Sequence, residues 1–173
     1  MELKKFQELI MKMSTRFSDA IHILAFIVIY KEKVQLSSDT IASSIGTSPV
    51  VVRRLMAQLK KGGLLTTVPG FADPTLKKPA EVVTLLDVYL TIEGDKPLFS
   101  VDPKTNPACI VGGNIQPTLT EYYRQAEVAA KAKLQQTTLQ DLIDTILVRQ
   151  AEKEAGKWLN TVRWACGMVT TKS

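Results

Sequence analysis

The segment that decides the fold runs from Ser38 to Lys61 and reads SDTIASSIGTSPVVVRRLMAQLKK. It predicts two short helices, because Ser38 can cap the first, Ser48 can cap the second, and Pro49 suits a first helical turn. Gly46 lies between the helices and supplies the positive φ angle that a sharp turn requires. The segment therefore indicates a helix-turn-helix.

The spacing of small and apolar residues supports this prediction. Two helices that cross steeply over a short turn leave no room for a large side chain, and Ala42, four residues before Gly46, meets that requirement. In the second helix, the predicted recognition helix, apolar residues at helical spacing form a buried stripe. These residues are Val52, Leu55, Met56 and Leu59. An ordinary hairpin of two helices within a bundle is the alternative.

Turn residues after the recognition helix predict a small wing. Gly62–Gly63 ends the helix, and residues 64–68 are then predicted to form a strand. Pro69–Gly70 and Asp73–Pro74 are typical turn sequences, after which residues 76–78 return as a second strand. A recognition helix followed by a two-stranded hairpin is the order of a winged helix, so the hairpin favours that fold over a bundle.

The net charge of the chain is concentrated in this region. The protein has 173 residues and a formal net charge of +5. Residues 49–79 contain one acid, Asp73, and six basic residues, so this window alone carries a net charge of +5. A basic patch on an otherwise neutral protein is typical of nucleic-acid binders, although lysines on a solvated face also occur without such a role.

The recognition helix is expected to enter the major groove of double-stranded DNA with its N-terminal residues at the base edges. Basic residues at its end and in the wing are expected to meet the phosphate backbone. The candidate DNA-binding residues are Thr47, Ser48, Pro49, Val50, Arg53, Arg54, Lys61, Lys77 and Lys78. For each arginine, an ordinary surface charge is the alternative.

Two capping-box patterns start helices beyond the wing. Thr84 and Asp87 precede a predicted helix over residues 85–93, and Thr138 and Asp141 repeat the pattern further along.

A loop is predicted over residues 95–113, followed by a long helix from Asn114. Apolar residues recur along that helix at heptad spacing. This stripe consists of Ile115, Leu119, Tyr122, Ala126 and Ala129. In the tail, Trp158, Leu159 and Val162 lie at helical spacing and need a surface to pack on.

The sequence gives no positive support for catalysis, a cofactor or a membrane segment. It contains no phosphate-binding loop, nucleophile elbow or dinucleotide fingerprint. Two cysteines, Cys109 and Cys166, are too few for a disulfide framework, and with the single His22 they do not supply a conventional metal site. The longest apolar run, residues 23–30, is too short to span a bilayer, and no signal peptide is recognised. We therefore expect a cytoplasmic protein that is not an enzyme.

Cys109 is the candidate redox sensor. It precedes a predicted helix start, and a helix N-terminus can lower the pKa of a thiol and raise its reactivity. Oxidation could join it to the same residue of a partner or to a small thiol. A buried loop cysteine without a role is the alternative.

These motifs resemble the Rrf-two (Rrf2) family of bacterial winged-helix transcription regulators, the family of IscR, NsrR and CymR. The matching stretches are RFSDAIHILAFI at 16–27, IASSIGTSPVVVRRLMAQLKKGGLL at 41–65 and VVTLLDVYLTIEG at 82–94. Within the family the sequence is similar to the YwnA-like branch, which shares recognition helices like SPVVVRR at 48–54 and an NPxCxVG segment, here at 106–112.

The resemblance implies a mainly helical fold, in which a winged helix-turn-helix domain with a two-stranded wing precedes a long C-terminal dimerisation helix. It implies a homodimer whose long helices pack together through the heptad stripe, and a sequence-specific repressor bound to a palindromic operator. The expected organisation is a winged domain at 14–94, a loop or sensor segment at 95–113, dimerisation helices at 114–149, and extensions of unknown role at 1–13 and 150–173.

One departure from the family concerns its iron–sulfur members, which hold a cluster through three closely spaced cysteines. Only Cys109 lies in that region here, so no cluster and no other cofactor is expected. Three alternatives remain open: a thiol-based redox sensor, a regulator with a small-molecule effector between the domain and the long helix, and a winged-helix module that binds a protein instead of DNA.

Overall fold

The computed structural model describes residues 15–68 and 71–165, and for residues 157–165 the backbone alone. This part of the chain contains six helices and one antiparallel sheet of two strands. The elements are α1 (Arg16–Tyr30), α2 (Ser38–Ile45), α3 (Pro49–Lys61), β1 (Leu65–Thr66), β2 (Thr75–Leu76), α4 (Leu85–Glu93), α5 (Ile110–Gln136) and α6 (Leu139–Ala165).

The mainly helical fold with a two-stranded wing is as predicted. Within the described segments, no helix is both long and apolar enough to cross a membrane. The extension at 1–13, the turn residues Pro69–Gly70 and Cys166 lie outside the described residues.

The helix-turn-helix forms at the predicted position, with one correction to its first cap. Ser37, not Ser38, caps α2, since its hydroxyl accepts a hydrogen bond of 3.1 Å from the backbone N–H of Thr40. Ser37 has the extended backbone typical of a cap, so the helix begins at the next residue. Gly46 ends α2 with a φ angle of 77°, and the hydroxyl of Ser48 caps α3, both as predicted.

Helix α1 lies at the centre of the hydrophobic core. It packs against α2, α3, α4, α6 and β2. Its middle is buried on nearly every side, because apolar residues follow one another there without a polar break. The buried residues are Ala20, Ile23, Leu24, Ala25, Phe26 and Ile27. The recognition helix α3 adds Val52, Leu55 and Leu59 to this core, whereas Met56 is only partly buried.

The first turns of α6 belong to the same core. Leu139 and Ile143 are buried in it, so the core extends beyond residue 94. Two backbone hydrogen bonds hold this junction: Leu139 N–H donates to the carbonyl of Val83 at 2.8 Å, and Leu85 N–H donates to that of Thr137 at 2.9 Å. Both predicted capping boxes form beside them, so the starts of α4 and α6 are fixed to each other.

The wing is shorter than predicted. The expected strands at 64–68 and 76–78 are replaced by β1 and β2, which have two residues each and pair in antiparallel register. Beyond β1, Thr67 is held by the recognition helix, because its carbonyl accepts a hydrogen bond of 3.4 Å from Lys60 Nζ. Pro74 precedes β2 and lacks an N–H donor, which limits the pairing further.

The long helix α5 begins at Ile110, four residues before the predicted start at Asn114. The sequence Gly112–Gly113 was interpreted as part of a loop, but it lies in the first turn. At Gly112 a Cβ atom would collide with the carbonyl oxygen of Asn106. Glycine is therefore needed here because the preceding loop crosses close to the helix, and not because the helix is broken.

We predict that replacing Leu139 by alanine lowers the free energy of unfolding by about 2–5 kcal/mol, because the side chain is fully buried and leaves a cavity. Leu90→Ala is the matched control, since that leucine is 40% exposed on α4, and it should cost less than about 1 kcal/mol. Urea unfolding of both variants at one protein concentration measures the difference. Equal losses would contradict the placement of Leu139 in the core.

Candidate nucleic-acid interface

The recognition helix α3 presents a polar and basic surface away from the core. Its buried stripe faces α1, which leaves Val50 57% exposed and both Arg53 and Arg54 exposed. Lys61 is exposed at its C-terminal end. At its N-terminal end, Ser48 is exposed and Pro49 is half-buried. The sequence-predicted residues of this helix therefore lie where a duplex could reach them.

The two arginines of α3 differ in how they are held. Arg53 Nη1 donates a hydrogen bond of 3.0 Å to the Ser38 hydroxyl on α2. Within the described part of the chain, no hydrogen bond or ion pair holds Arg54. The guanidinium of Arg53 is therefore held between α2 and α3, whereas that of Arg54 is free to move toward a binding partner.

A groove of about 330 Å³ separates the recognition helix from the wing. Arg53 and Met56 line it from the helix, and Thr67 and Phe71 line it from the wing. Phe71 is 73% exposed. Phe71 and Ser38 are not among the residues predicted for this surface. An aromatic residue within a turn sequence was the available signal for Phe71, and no local pattern marks Ser38.

Lys77 and Lys78 belong to the wing as predicted, but they lie just beyond its second strand and not within it. They follow β2 at the base of the wing, where Lys77 N–H donates to the carbonyl of Leu64. Both are exposed and line a shallow groove together with Lys31 and Gln140. The structure therefore brings Arg53 together with the outer part of the wing and does not bring the two lysines into that groove.

Cys109 is exposed at the N-terminal cap of α5 and is not buried in the loop before that helix. Hydrogen bonds to its sulfur from the backbone N–H groups of Gly112 and Val111 hold the pKa of the thiol below its ordinary value. The thiolate is therefore favoured by the helix start, as the sequence predicted for a reactive cysteine.

The heptad stripe lies along α5, a helix with no fully buried residue. Ile115 and Leu119 are half-buried, whereas Tyr122, Ala126 and Ala129 are exposed. Val111 lies four residues before Ile115 and is 66% exposed, so it extends the stripe. It was missed because the helix was predicted to begin after it.

The chain was compared with known families and proteins. Residues 13–145 match the Rrf2 family, described as an iron-dependent transcriptional regulator. YwnA of Bacillus subtilis (strain 168), named as a candidate HTH-type transcriptional regulator, is 38% identical over 131 residues, which cover 76% of this chain and 96% of YwnA.

Solved structures agree in fold. A crystal structure of a candidate DNA-binding protein is 36% identical, with a TM-score of 0.59 over 74% of this chain and 98% of that chain. The structure of CymR (YrzC), the global cysteine regulator of B. subtilis, is 22% identical, with a TM-score of 0.59 over 78% of this chain and 97% of its own.

The family description mentions iron, but the residues that the structure describes contain no set of side chains that could bind it. Among them, no group of three or more histidine, cysteine, aspartate or glutamate side chains is placed to hold a metal ion. Cys109 stands there as a single exposed thiol. What the chain shares with the family is its sequence over residues 13–145 and its winged-helix architecture. The chain therefore belongs to the Rrf2 family of transcription regulators and carries the family's DNA-binding fold.

Proposed function

We propose that this regulator binds a specific palindromic operator as a homodimer and represses transcription by occupying it. The observation that carries the proposal is the exposed outer surface of α3 in a chain whose family consists of transcription regulators. On this surface Arg53 lies beside the wing and Arg54 is exposed. Repression would need no contact beyond occupancy of the operator.

In this proposal the N-terminal part of α3 lies in the major groove. The exposed methyl groups of Val50 are suited to thymine methyl groups, and the arginines are suited to guanine edges or phosphates. Thr47, Ser48 and Pro49 lie at the helix N-terminus, where backbone N–H groups favour a phosphate.

The remaining basic candidates are assigned to the DNA backbone. Lys61 would meet it at the end of α3. Lys77 and Lys78 would meet it from the base of the wing, at a separate point from the groove that Arg53 lines.

The homodimer is proposed to form through the stripe on α5. A monomer would leave that stripe in water together with Ile146, Leu147 and Val148 of α6, which are 41%, 49% and 58% exposed. An apolar surface of this kind is typical of an interface. Paired chains would present two recognition helices to half-sites about one turn of DNA apart.

For DNA binding, we predict that Arg53→Ala combined with Arg54→Ala abolishes specific binding and reduces the magnitude of the slope of log affinity against log salt by about 2, because two cationic side chains no longer neutralise phosphates. The measurement is filter binding to a random duplex and to a duplex selected from a random pool. Lys96→Ala with Lys104→Ala is the matched control, since both lysines are exposed in the loop before α5.

Two outcomes would contradict this assignment. An unchanged affinity of the double arginine variant at low salt would remove α3 from the interface. No salt-dependent DNA binding by the unsubstituted protein would favour the protein-interaction module instead, because counterion release requires phosphate contacts.

For the dimer, we predict that Leu119→Glu produces a monomer of 19.1 kDa, because it places a charge in the centre of an apolar interface. Gln135→Glu adds the same charge to an exposed position near the end of α5 and should leave the dimer intact. Light scattering coupled to size exclusion measures both masses. A Leu119→Glu protein that stays dimeric would contradict the use of this stripe.

A second candidate function is thiol-based sensing through Cys109, which its exposure and its lowered thiol pKa favour. In a Cys166→Ser protein, the rate of Cys109 alkylation should reach half its maximum at a pH below the thiol's ordinary value of 9.0, because the thiolate is the reactive form. The same protein unfolded in urea is the control. Identical midpoints in the two states would contradict an activated thiol.

A further inference from the structure

A cavity of about 590 Å³ lies between the loop that follows α4 and one side of α5. Its volume falls within the range of about 300–1,000 Å³ that is usual for small-molecule sites. Apolar groups of Pro97, Phe99, Val101 and Val128 form much of its lining. The rings of Phe99 and Tyr123 pack with centroids 5.3 Å apart, which gives the cavity an aromatic wall.

An ion-pair network fixes the position of the loop against the helix. Lys131 Nζ lies 2.7 Å from Asp95 Oδ1 and 2.7 Å from Glu127 Oε1. Glu127 Oε2 in turn accepts a hydrogen bond of 3.3 Å from the backbone N–H of Leu98. The hydrogen bond from Lys131 holds the pKa of Glu127 below its ordinary value, so the network stays charged near neutral pH. These groups are satisfied by one another and leave the recognition of a ligand to other side chains.

The polar groups that remain available can all donate hydrogen bonds, although the hydroxyls among them can also accept. Arg124 makes two hydrogen bonds to Glu121, through Nε at 3.1 Å and Nη2 at 2.8 Å. Within the described residues its Nη1 has no partner, and neither do the hydroxyls of Tyr123 and Ser100, which also line the cavity. An apolar wall beside a guanidinium and two hydroxyls is complementary to an apolar body that carries an anion.

We propose that this cavity binds a small carboxylic acid with an aromatic or alicyclic body, whose carboxylate accepts hydrogen bonds from Arg124 and whose ring packs on Phe99 and Tyr123. Through this acid the DNA affinity of the proposed regulator is adjusted, and this second part rests on the function proposed above. The α5 positions that line the cavity lie on a different side of the helix from the heptad stripe; they are 120, 123, 124, 127, 128 and 131. The acid and the partner subunit therefore use different surfaces of one helix.

The coupling follows from how α5 is attached. In the described chain it packs against the winged domain through α4 and through the loop that forms the cavity. A ligand that fits this cavity would favour the angle of α5 at which the cavity is formed, because it binds best to the chain in that arrangement. In a dimer joined through α5, that angle sets the distance between the two recognition helices, and hence the fit to both half-sites.

The test uses 3-phenylpropionate as the probe and its neutral amide as the matched compound, with the full chain and without DNA. Amide NMR shifts should change in residues 98–101 and 120–131, with a Kd below about 1 mM for the acid. The amide should bind at least tenfold more weakly. Arg124→Gln should weaken binding of the acid at least tenfold and leave binding of the amide unchanged, because the charge-assisted hydrogen bonds are lost.

Two variants control for indirect effects. Val128→Trp fills the cavity and should abolish binding of both compounds, whereas Lys133→Gln removes a charge from an exposed position of α5 outside the cavity and should change neither. The site is overturned if phenylacetate, 3-phenylpropionate and cyclohexanecarboxylate all leave these shifts unchanged at about 10 mM. It is also overturned if Arg124→Gln or Val128→Trp binds the acid as well as the unsubstituted chain does.

The regulatory part has its own readout. The acid should change affinity for the selected duplex at least threefold in the unsubstituted protein and not in Val128→Trp. If the acid binds in the cavity and DNA affinity stays constant, the site stands and its regulatory role is overturned. If no duplex is bound at all, the function proposed above fails while the NMR result on the site is unaffected.

Discussion

The burial of α1 is the constraint on which the rest of the structure depends. Its middle turns have apolar side chains in every direction, so that no side of the helix can face water without a large loss of hydrophobic free energy. The helix-turn-helix, the wing, α4 and the start of α6 each cover one part of it. The orientation of the recognition helix and the direction of the long helices are therefore set by the same buried surface.

Features that local sequence chemistry controls could be predicted from the sequence. Gly46, Ser48 and the capping box at Thr84 act through residues no more than four positions away, and the structure has them as expected. Features that depend on distant residues were missed. Leu139 joins the core because α6 begins beside Val83. No sequence pattern near residue 139 predicts this contact with Val83.

In the candidate site, too, the features set by nearby residues were predictable and those set by distant residues were not. The exposure of Arg53 and Arg54 follows from the period of their own helix, and the sequence predicted it. The placement of Lys77 depends on how far β2 extends, and the wing is shorter than turn chemistry alone indicates. The cavity beside α5 is formed by segments about 30 residues apart in the chain, such as Phe99 and Val128, and sequence patterning does not report such a pairing.

The close approach at Gly112 bears on how the sequence of this protein can vary. Any side chain at that position would collide with the carbonyl oxygen of Asn106, so even an alanine would force the loop away from the start of α5. Gly156 also lies within a helix, but a Cβ atom there would meet no other atom within 4 Å. Alanine at Gly156 would remove backbone freedom from the unfolded chain and add up to about 1 kcal/mol of stability. Gly112 therefore cannot be replaced without moving the loop, whereas replacing Gly156 by alanine would stabilise the protein.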